Sequence, residues 1–143
     1  MNTRRRVHLE PSAFVADPQL LGALEERSVQ IVCSEQQVLF IQGEEPQGLY
    51  ILRSGSATLS ITSESGERIE LSRVSAGSLL GLPGLIGNQP CSLTAEASPG
   101  AVLGFIPREE FSALMRADPA LSLRVLAVLA SEVQSARRAI AGL

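Results

Sequence analysis

Lysine is absent from this chain of 143 residues, and all twelve basic residues are arginine. The absence of lysine excludes enzymes that form a Schiff base with a lysine amine and proteins that need the lysine of a phosphate-binding loop. Histidine is almost absent too. The single His8 lies in an irregular segment, which argues against a Ser-His-Asp triad, and it forms no zinc-ligand spacing with the distant Cys33 and Cys91. We therefore expect no catalytic residues, no metal and no cofactor.

Long hydrophobic runs and an excess of positive charge are also lacking. No apolar stretch is long enough for a membrane span, so we expect no membrane partner. A net charge of -3 gives no broad positive field, which disfavours binding to nucleic acid. The segment after Arg4–Arg6 contains His8, Glu10 and Pro11, which argues against an export signal. Two cysteines do not make a disulfide framework, so we expect free thiols and a cytoplasmic location.

The length and composition indicate one folded domain, since 45% of the residues are apolar and 19% are charged. Residues 1–16 lack periodicity and predict a flexible N-terminal arm, in which Arg4–Arg6 form a solvated charge run. Asp17 and Pro18 then predict the N-cap and first residue of a short helix that ends near Arg27. The domain itself is expected to cover residues 17–143.

Between Val29 and Pro107, short β-prone runs are separated by Gly, Pro and Ser, which is typical of a sandwich or barrel. Two of these runs alternate strictly between apolar and polar residues, so each predicts one wet and one dry face. Ser65-Gly66 between them predicts a hairpin turn. The predicted strands are Val29–Cys33, Val38–Ile41, Gly48–Leu52, Ala57–Thr62, Arg68–Val74, Leu79–Leu80, Ser92–Ala97 and Val102–Ile106.

Two helices are predicted after the strands. Pro107 precedes a short helix over Arg108–Arg116, and Asp118-Pro119 repeats the cap-plus-proline pattern before a long helix over residues 118–142. That helix carries a heptad seam and a second apolar stripe. The seam consists of Leu126, Leu129, Val133, Ala136, Ile140 and Leu143, and the second stripe of Leu121, Val125 and Val128.

One stripe can cover the strands while the seam meets a partner, so the helix predicts a homodimer. The alternative is that both stripes belong to the core of a single chain. In the dimer, Arg137 and Arg138 are expected to reach Glu132 of either chain.

A family resemblance rests on glycine spacing, in the segments Gln42-Gly43-Glu44, Gly48–Gly55 and Gly77–Gly81, with Gly66 between the last two. Together with the helix pair, these segments resemble the cyclic-nucleotide-binding domain family, in particular the sensor domains of bacterial catabolite-activator-type regulators. The resemblance covers about Leu20 to Ile140. It implies a mainly β fold with flanking helices, in which a jelly-roll β-roll is followed by a short helix and a long C-terminal helix.

The resemblance also implies a ligand pocket at a phosphate-binding cassette, where family members hold the ribose with a glutamate and the cyclic phosphate with an arginine. Leu82 stands at the glutamate position and Cys91 at the arginine position. Losing a desolvated arginine–phosphate pair costs about 2 to 5 kcal/mol, so we expect cyclic nucleotide binding to be weak or absent. The candidate pocket residues are Gly81, Leu82, Pro83, Gly84, Cys91 and Ser92.

Several readings of this pocket stay open. Backbone N–H groups of the glycine- and proline-rich loop can cradle an anion, although Pro83 and Pro90 each remove a donor. Cys91 is either a small packed hydrophobe or a ligand-contacting thiol. Ala136 and Arg137 fall where the family presents hydroxyl groups to the base. Replacement cations would have to come from neighbouring strands, which offer Arg53, Arg68 and Arg73.

These observations favour a stand-alone regulatory domain, which acts as a dimeric signalling or partner-interaction module. We expect no direct DNA binding by this chain, because it stops at Leu143 where related transcription factors continue into a helix-turn-helix. The alternative function is a sensor of a cyclic nucleotide or another small ligand in the same pocket, feeding a transcriptional regulatory system. An enzyme on a similar β-fold is disfavoured, since it would need histidines on the strands and these strands hold none.

Overall fold

The computed structural model describes residues 7–143, and its mainly β architecture with flanking helices confirms the expected fold class. Helix α1 precedes eight strands, a short helix α2 lies among the strands, and helices α3 and α4 follow them. The elements are α1 (Pro18–Glu25), β1 (Val29–Val32), β2 (Gln37–Phe40), β3 (Gly48–Ser54), β4 (Ala57–Thr62), β5 (Arg68–Val74), β6 (Leu79–Leu80), α2 (Leu82–Gly87), β7 (Thr94–Ala97), β8 (Val102–Pro107), α3 (Arg108–Ala117) and α4 (Pro119–Ala141).

The strands form two antiparallel four-stranded sheets, with the orders β1-β8-β3-β6 and β2-β7-β4-β5. The β4–β5 hairpin has the bounds that alternation predicts, and Gly66 in its turn takes a positive φ of 88°. The prediction that exposed and buried side chains alternate strictly along these two strands was wrong in detail. The register of β4 and β5 shifts between Leu59 and Ser60, where Leu71 is the extra residue on β5, and Leu71 and Ser72 are both buried. A bulge adds one residue to one strand, so the side chains beyond it change face.

The core lies in two clusters on either side of the first sheet. Inside the roll, Leu59 of the second sheet packs with buried residues of the first sheet, such as Leu52 and Leu103. Between the roll and the helices, Leu20 and Leu24 of α1 pack with Phe111 of α3 and Val125 of α4. The helices are therefore part of the same folded unit as the roll, and α4 is fixed against it along one face.

Both predicted cap-plus-proline signals start helices. Asp17 accepts a 2.9 Å hydrogen bond from the Leu20 N–H at the start of α1. Asp118 accepts a 3.1 Å bond from the Leu121 N–H at the start of α4. Each carboxylate satisfies an N–H group that the first turn of a helix leaves without an internal partner. These caps set where α1 and α4 begin.

The prediction of a flexible arm up to residue 16 needs correction. Arg4–Arg6 lie outside the described residues, but residues 9–16 are packed onto the roll. The Leu9 N–H donates a 2.8 Å bond to the Leu71 carbonyl, and the Glu10 N–H donates a 2.8 Å bond to Oγ of Ser135 on α4. Phe14, in a 3-10 turn, is almost fully buried. The apolar residues here follow no regular spacing, which is why the sequence pattern did not indicate a docked segment.

Within residues 7–143, no helix combines the length and the apolar character that crossing a bilayer requires.

Candidate functional site

A small pocket lies beneath the cassette segment, between the roll and α4. The space inside it for the centre of a water molecule is only about 10 Å³. Its lining comes from three places: the cassette (Gly81, Pro83, Gly84, Cys91, Ser92 and Leu93), the surrounding roll (Phe14, Phe40, Leu59 and Leu80), and α4 (Glu132).

The structure brings five of the six candidate pocket residues together, and Leu82 is the exception. Leu82 has no exposed surface and packs in the core between the roll and the helices. The reason is local. The first half of the segment predicted as a loop is helix α2, and its first residue, Leu82, turns towards that core rather than into the pocket. Position 82, which the resemblance matches to the family's ribose-binding glutamate, is therefore occupied by a core residue.

Glycine is required at two points of this wall. Gly81 has a φ of 103°, a conformation that other residues adopt only with strain, and it places the start of α2. Gly84 lies so close to its neighbours that an added Cβ would be 2.9 Å from the Gln89 carbonyl oxygen and 2.9 Å from Cγ of Pro46. The glycine spacing of this segment thus has a structural explanation that involves no ligand.

The backbone groups of the cassette are largely used within the chain. The Cys91 N–H donates a 2.8 Å bond to the Glu44 carbonyl, and the Gly43 N–H donates a 2.8 Å bond to the Cys91 carbonyl. The Gln89 N–H donates to the Gly84 carbonyl at 3.0 Å. Pro83 and Pro90 have no N–H group, so these internal bonds and the two prolines together reduce the number of donors that the cassette offers to an anion. The backbone cradle considered from the sequence finds no support here.

No basic side chain lines the pocket among the described residues. The three candidate replacement cations lie elsewhere. Arg53 pairs with Glu25 at 3.5 Å, Arg68 pairs with Glu96, and Arg73 is exposed on strand β5. A phosphate in this pocket would therefore meet no positive charge from the part of the chain that the structure describes.

Both thiols are free and buried. Burial raises the pKa of Cys91, and the nearby Glu44 carboxylate raises that pKa further. Burial also raises the pKa of Cys33. A raised pKa keeps a thiol neutral and poorly nucleophilic. The structure thus favours the reading of Cys91 as a small packed hydrophobe. No cluster of three metal-ligating side chains occurs in residues 7–143.

Glu132 is the pocket residue that sequence reasoning missed. Burial raises its pKa to about 8. Its Oε2 atom has no exposed surface and no hydrogen-bond partner among the described residues. The expected contact with Arg137 and Arg138 was wrong within one chain, because both arginines are exposed on another face of α4. A buried polar atom without a partner costs free energy, so the position calls for an explanation.

A sequence signal for Glu132 does exist. The second apolar stripe of α4, Leu121, Val125 and Val128, continues with the same spacing of four and three residues through Glu132 to the buried Ser135. The predicted stripe contains apolar residues only and so ends at Val128, and a glutamate at the next position of this spacing usually lies in water. Of the family's base-contacting positions, Ala136 lines a neighbouring groove and Arg137 is exposed.

The heptad seam of α4 divides into two sets. Leu129 and Ala136 are half-buried against the roll. The other four members remain exposed: Leu126 43%, Val133 44%, Ile140 66% and Leu143 46%. Leu123, which the seam did not include, is 69% exposed. We call Leu123, Leu126, Val133 and Ile140 the outer stripe; they are spaced three, seven and seven residues apart.

Comparison with known proteins agrees with this architecture. The family model described as the cyclic nucleotide-binding domain matches residues 30–118, which is more than half of the chain. A search of curated proteins gives no match.

Solved structures match over most of the chain. The catabolite activator protein of Thermus thermophilus is 24% identical, with a TM-score of 0.75 over 92% of this chain and 62% of its own. The N-terminal domain of a transcriptional regulator from Streptomyces coelicolor is 20% identical, with a TM-score of 0.64 over 87% of each chain. CprK in complex with o-chlorophenolacetic acid is 18% identical, with a TM-score of 0.71 over 90% of this chain and 53% of its own. At these identities the likeness concerns the fold, and this chain spans about three fifths of the Thermus protein.

Proposed function

Because this chain belongs to the cyclic nucleotide-binding domain family, we propose that it is a regulatory rather than a catalytic domain, and that it acts as a homodimeric signalling or partner-interaction module. The observation that carries the proposal is the outer stripe of α4. The Thermus catabolite activator protein, a regulator by its name, shares the fold over nearly all of this chain.

The outer stripe supports pairing of two copies through α4. Its four large aliphatic side chains lie along one side of a helix whose opposite side is packed on the roll. A contiguous apolar surface of this kind is unfavourable in water and typically marks an interaction site. The heptad-like spacing suits a second helix with the same spacing, so a second copy of α4 is the matching partner.

The cassette supports a second part of the proposal, that this domain does not hold a cyclic nucleotide with micromolar affinity. The pocket has no cation for the phosphate, and the ribose-binding position is filled by Leu82 in the core. Its internal space of about 10 Å³ is close to the minimum for a single water molecule. A nucleotide would need both a new counter-charge and a large opening.

Two further expectations stay part of the proposal. The net charge of -3 supports the view that this chain does not bind DNA directly. The two free, buried thiols support a reducing compartment, the cytoplasm.

A second candidate function is a sensor of a small ligand other than a cyclic nucleotide. The observation that favours it is Glu132, a carboxyl with an unpartnered buried oxygen in the pocket wall.

Light scattering tests the dimer. We expect the unmodified protein to have about twice the single-chain mass of 15.2 kDa at micromolar concentration. Val133→Asp places a carboxylate in the outer stripe and should give a monomer, because burying the charge costs several kcal/mol. Ala113→Asp, at an exposed position of α3, is the control for an added carboxylate outside the outer stripe and should remain dimeric. A single-chain mass that does not change on concentrating the protein would reject the proposal.

Thermal unfolding tests the cassette. Cyclic AMP and cyclic GMP at about 1 mM should raise Tm by less than about 1 °C, because a site without either anchor has a Kd above that concentration. A saturable shift, or a micromolar Kd by calorimetry, would contradict this part of the proposal.

A further inference from the structure

Glu132 lies where two hollows meet. One is the pocket beneath the cassette, and the other is a groove of about 250 Å³ between α4 and the roll. Both are lined by Phe14, Pro83, Ser92 and Leu93 as well as by Glu132. The Glu132 side chain therefore lines both hollows, and a molecule seated in the groove can contact this side chain from the open side.

The surroundings of this carboxyl offer it no compensation. Oε2 has no hydrogen-bond partner among residues 7–143, and no basic residue of that range lines either hollow. The groove is walled mainly by apolar side chains, among them Leu71, Leu129 and Ala136. An unpaired buried acceptor costs free energy that a hydrogen-bond donor supplied by a ligand would recover.

We propose that this site binds a small, mainly apolar molecule that carries a hydrogen-bond-donating nitrogen group, an amine or amidine, and that Glu132 accepts the hydrogen bond. The inference rests on the second candidate function, in which the pocket is a sensor site. The apolar part of the molecule lies in the groove against Leu71, Leu129 and Ala136. The nitrogen group supplies the missing partner of Oε2, and the carboxyl must rotate towards the groove to meet it, because Oε2 has no exposed surface in this structure.

Charge and size define the ligand class. A positively charged nitrogen stabilises the ionised form of Glu132 through a charge-assisted bond, whereas a phosphate or carboxylate ligand brings a negative charge into hollows that no basic residue within the range 7–143 lines. An apolar cavity of about 150 Å³ is large enough to bind benzene. The groove of about 250 Å³ therefore accommodates one ring with a short polar group.

The test uses benzamidine as the probe and benzoate as its counterpart with the same ring and the opposite charge. We expect benzamidine to raise Tm in a saturable manner and to shift amide resonances of residues around the groove, while benzoate does neither. Glu132→Gln keeps the side-chain volume and should weaken benzamidine binding about tenfold or more. Glu110→Gln, at an exposed glutamate of α3, is the matched control and should leave binding unchanged.

A second measurement detects the release of the Glu132 proton when the ligand binds. A carboxyl that pairs with a cation must ionise, so calorimetry near neutral pH in two buffers should show proton release on binding to the unmodified protein and none with Glu132→Gln. Three results would each overturn the inference: equal affinity in the Gln variant, equal binding of benzoate, or no response to benzamidine at about 10 mM. These failures would leave the dimer proposal intact, whereas a micromolar Kd for cyclic AMP would reject the cassette part of the proposed function.

Discussion

The cassette and helix α4 form two walls of one pocket, and they differ in whether their polar groups have hydrogen-bond partners. On the cassette wall, the backbone of Cys91 is hydrogen-bonded on both sides, and its thiol is kept neutral by burial. On the α4 wall, Glu132 presents a buried carboxyl oxygen without a partner in the described chain. At Cys91 the cassette wall is thus internally satisfied, while at Glu132 the α4 wall is not.

This difference indicates which wall is expected to recognise a ligand. A satisfied wall needs no ligand in order to be stable, and Gly81 and Gly84 of the cassette are explained by a positive φ and by close packing, respectively. An unsatisfied buried carboxyl lowers stability, and such groups concentrate at functional sites. In this chain, ligand recognition is therefore expected to depend on Glu132 more than on the cassette.

The largest expected effect comes from moving a carboxyl to the cassette wall. Leu82→Glu should destabilise the fold by about 4 kcal/mol or more, because Leu82 is fully buried among apolar side chains. Leu82→Met keeps the volume and should cost less than about 1.5 kcal/mol. Urea unfolding of both variants measures the difference. A Glu variant as stable as the Met variant would show that position 82 opens into the pocket after all.

The next effect concerns the pH dependence of stability. The pKa of Glu132 is raised from 4.5 to about 8 in the folded protein. Between these values the unfolded chain has lost the proton while the folded chain still holds it, so stability must fall as pH rises, by up to about 1.4 kcal/mol per pH unit. Below the unfolded pKa the penalty is absent, and above the folded pKa it is complete.

Glu132→Gln removes this dependence. We expect the Gln variant to gain a few kcal/mol relative to the unmodified protein between about pH 5 and about pH 8.5, as measured by urea unfolding at both values. Other carboxyl groups titrate in both proteins and cancel in the comparison. Parallel stability profiles for the two proteins would mean that the carboxyl is hydrated in solution.

The roll was largely predictable, and the reason lies in local chemistry. Strands β4 and β5 follow from alternation and from a glycine turn, and the starts of α1 and α4 follow from Asp-Pro pairs that act locally. Helix α2 was missed because its six residues include two glycines and a proline, which have poor helix propensity. Tertiary packing of Leu82 and Gly84 overrides that propensity.

The candidate site was predictable only in part. The cassette residues could be placed from glycine spacing, but Glu132 could not, because residue type and periodicity gave opposite indications. Periodicity placed it on the buried stripe of α4, and its charge indicated solvent. The burial of this carboxyl is evident only from the folded structure, because the roll that covers it is contributed by residues about forty or more positions away in the sequence.

A smaller loss of stability is expected when the close contact at Gly84 on the cassette wall is filled, and Gly87 of the same helix provides the control. Gly84→Ala would place a Cβ 2.9 Å from the Gln89 carbonyl oxygen, and should cost about 1 to 3 kcal/mol. Gly87→Ala lies in the same helix, where the added Cβ would meet only Cγ of Gln89 at 3.7 Å. That variant should be neutral or more stable by up to about 1 kcal/mol, because alanine has the higher helix propensity. Thermal unfolding with equal losses for both would indicate that α2 has room at Gly84.

The smallest effect is expected at the two thiols, of which Cys91 belongs to the cassette wall. Cys33 and Cys91 are buried and free, and burial raises the pKa of both, so neither should react rapidly with an alkylating reagent in the folded protein. Mass spectrometry after non-reducing alkylation in denaturant should find two modified cysteines and no disulfide. Alkylation without denaturant should be slow and should become faster only as the protein unfolds. Fast native alkylation at Cys91 alone would show that the cassette wall opens to solvent, and would place a reactive group on the wall that we regard as inert.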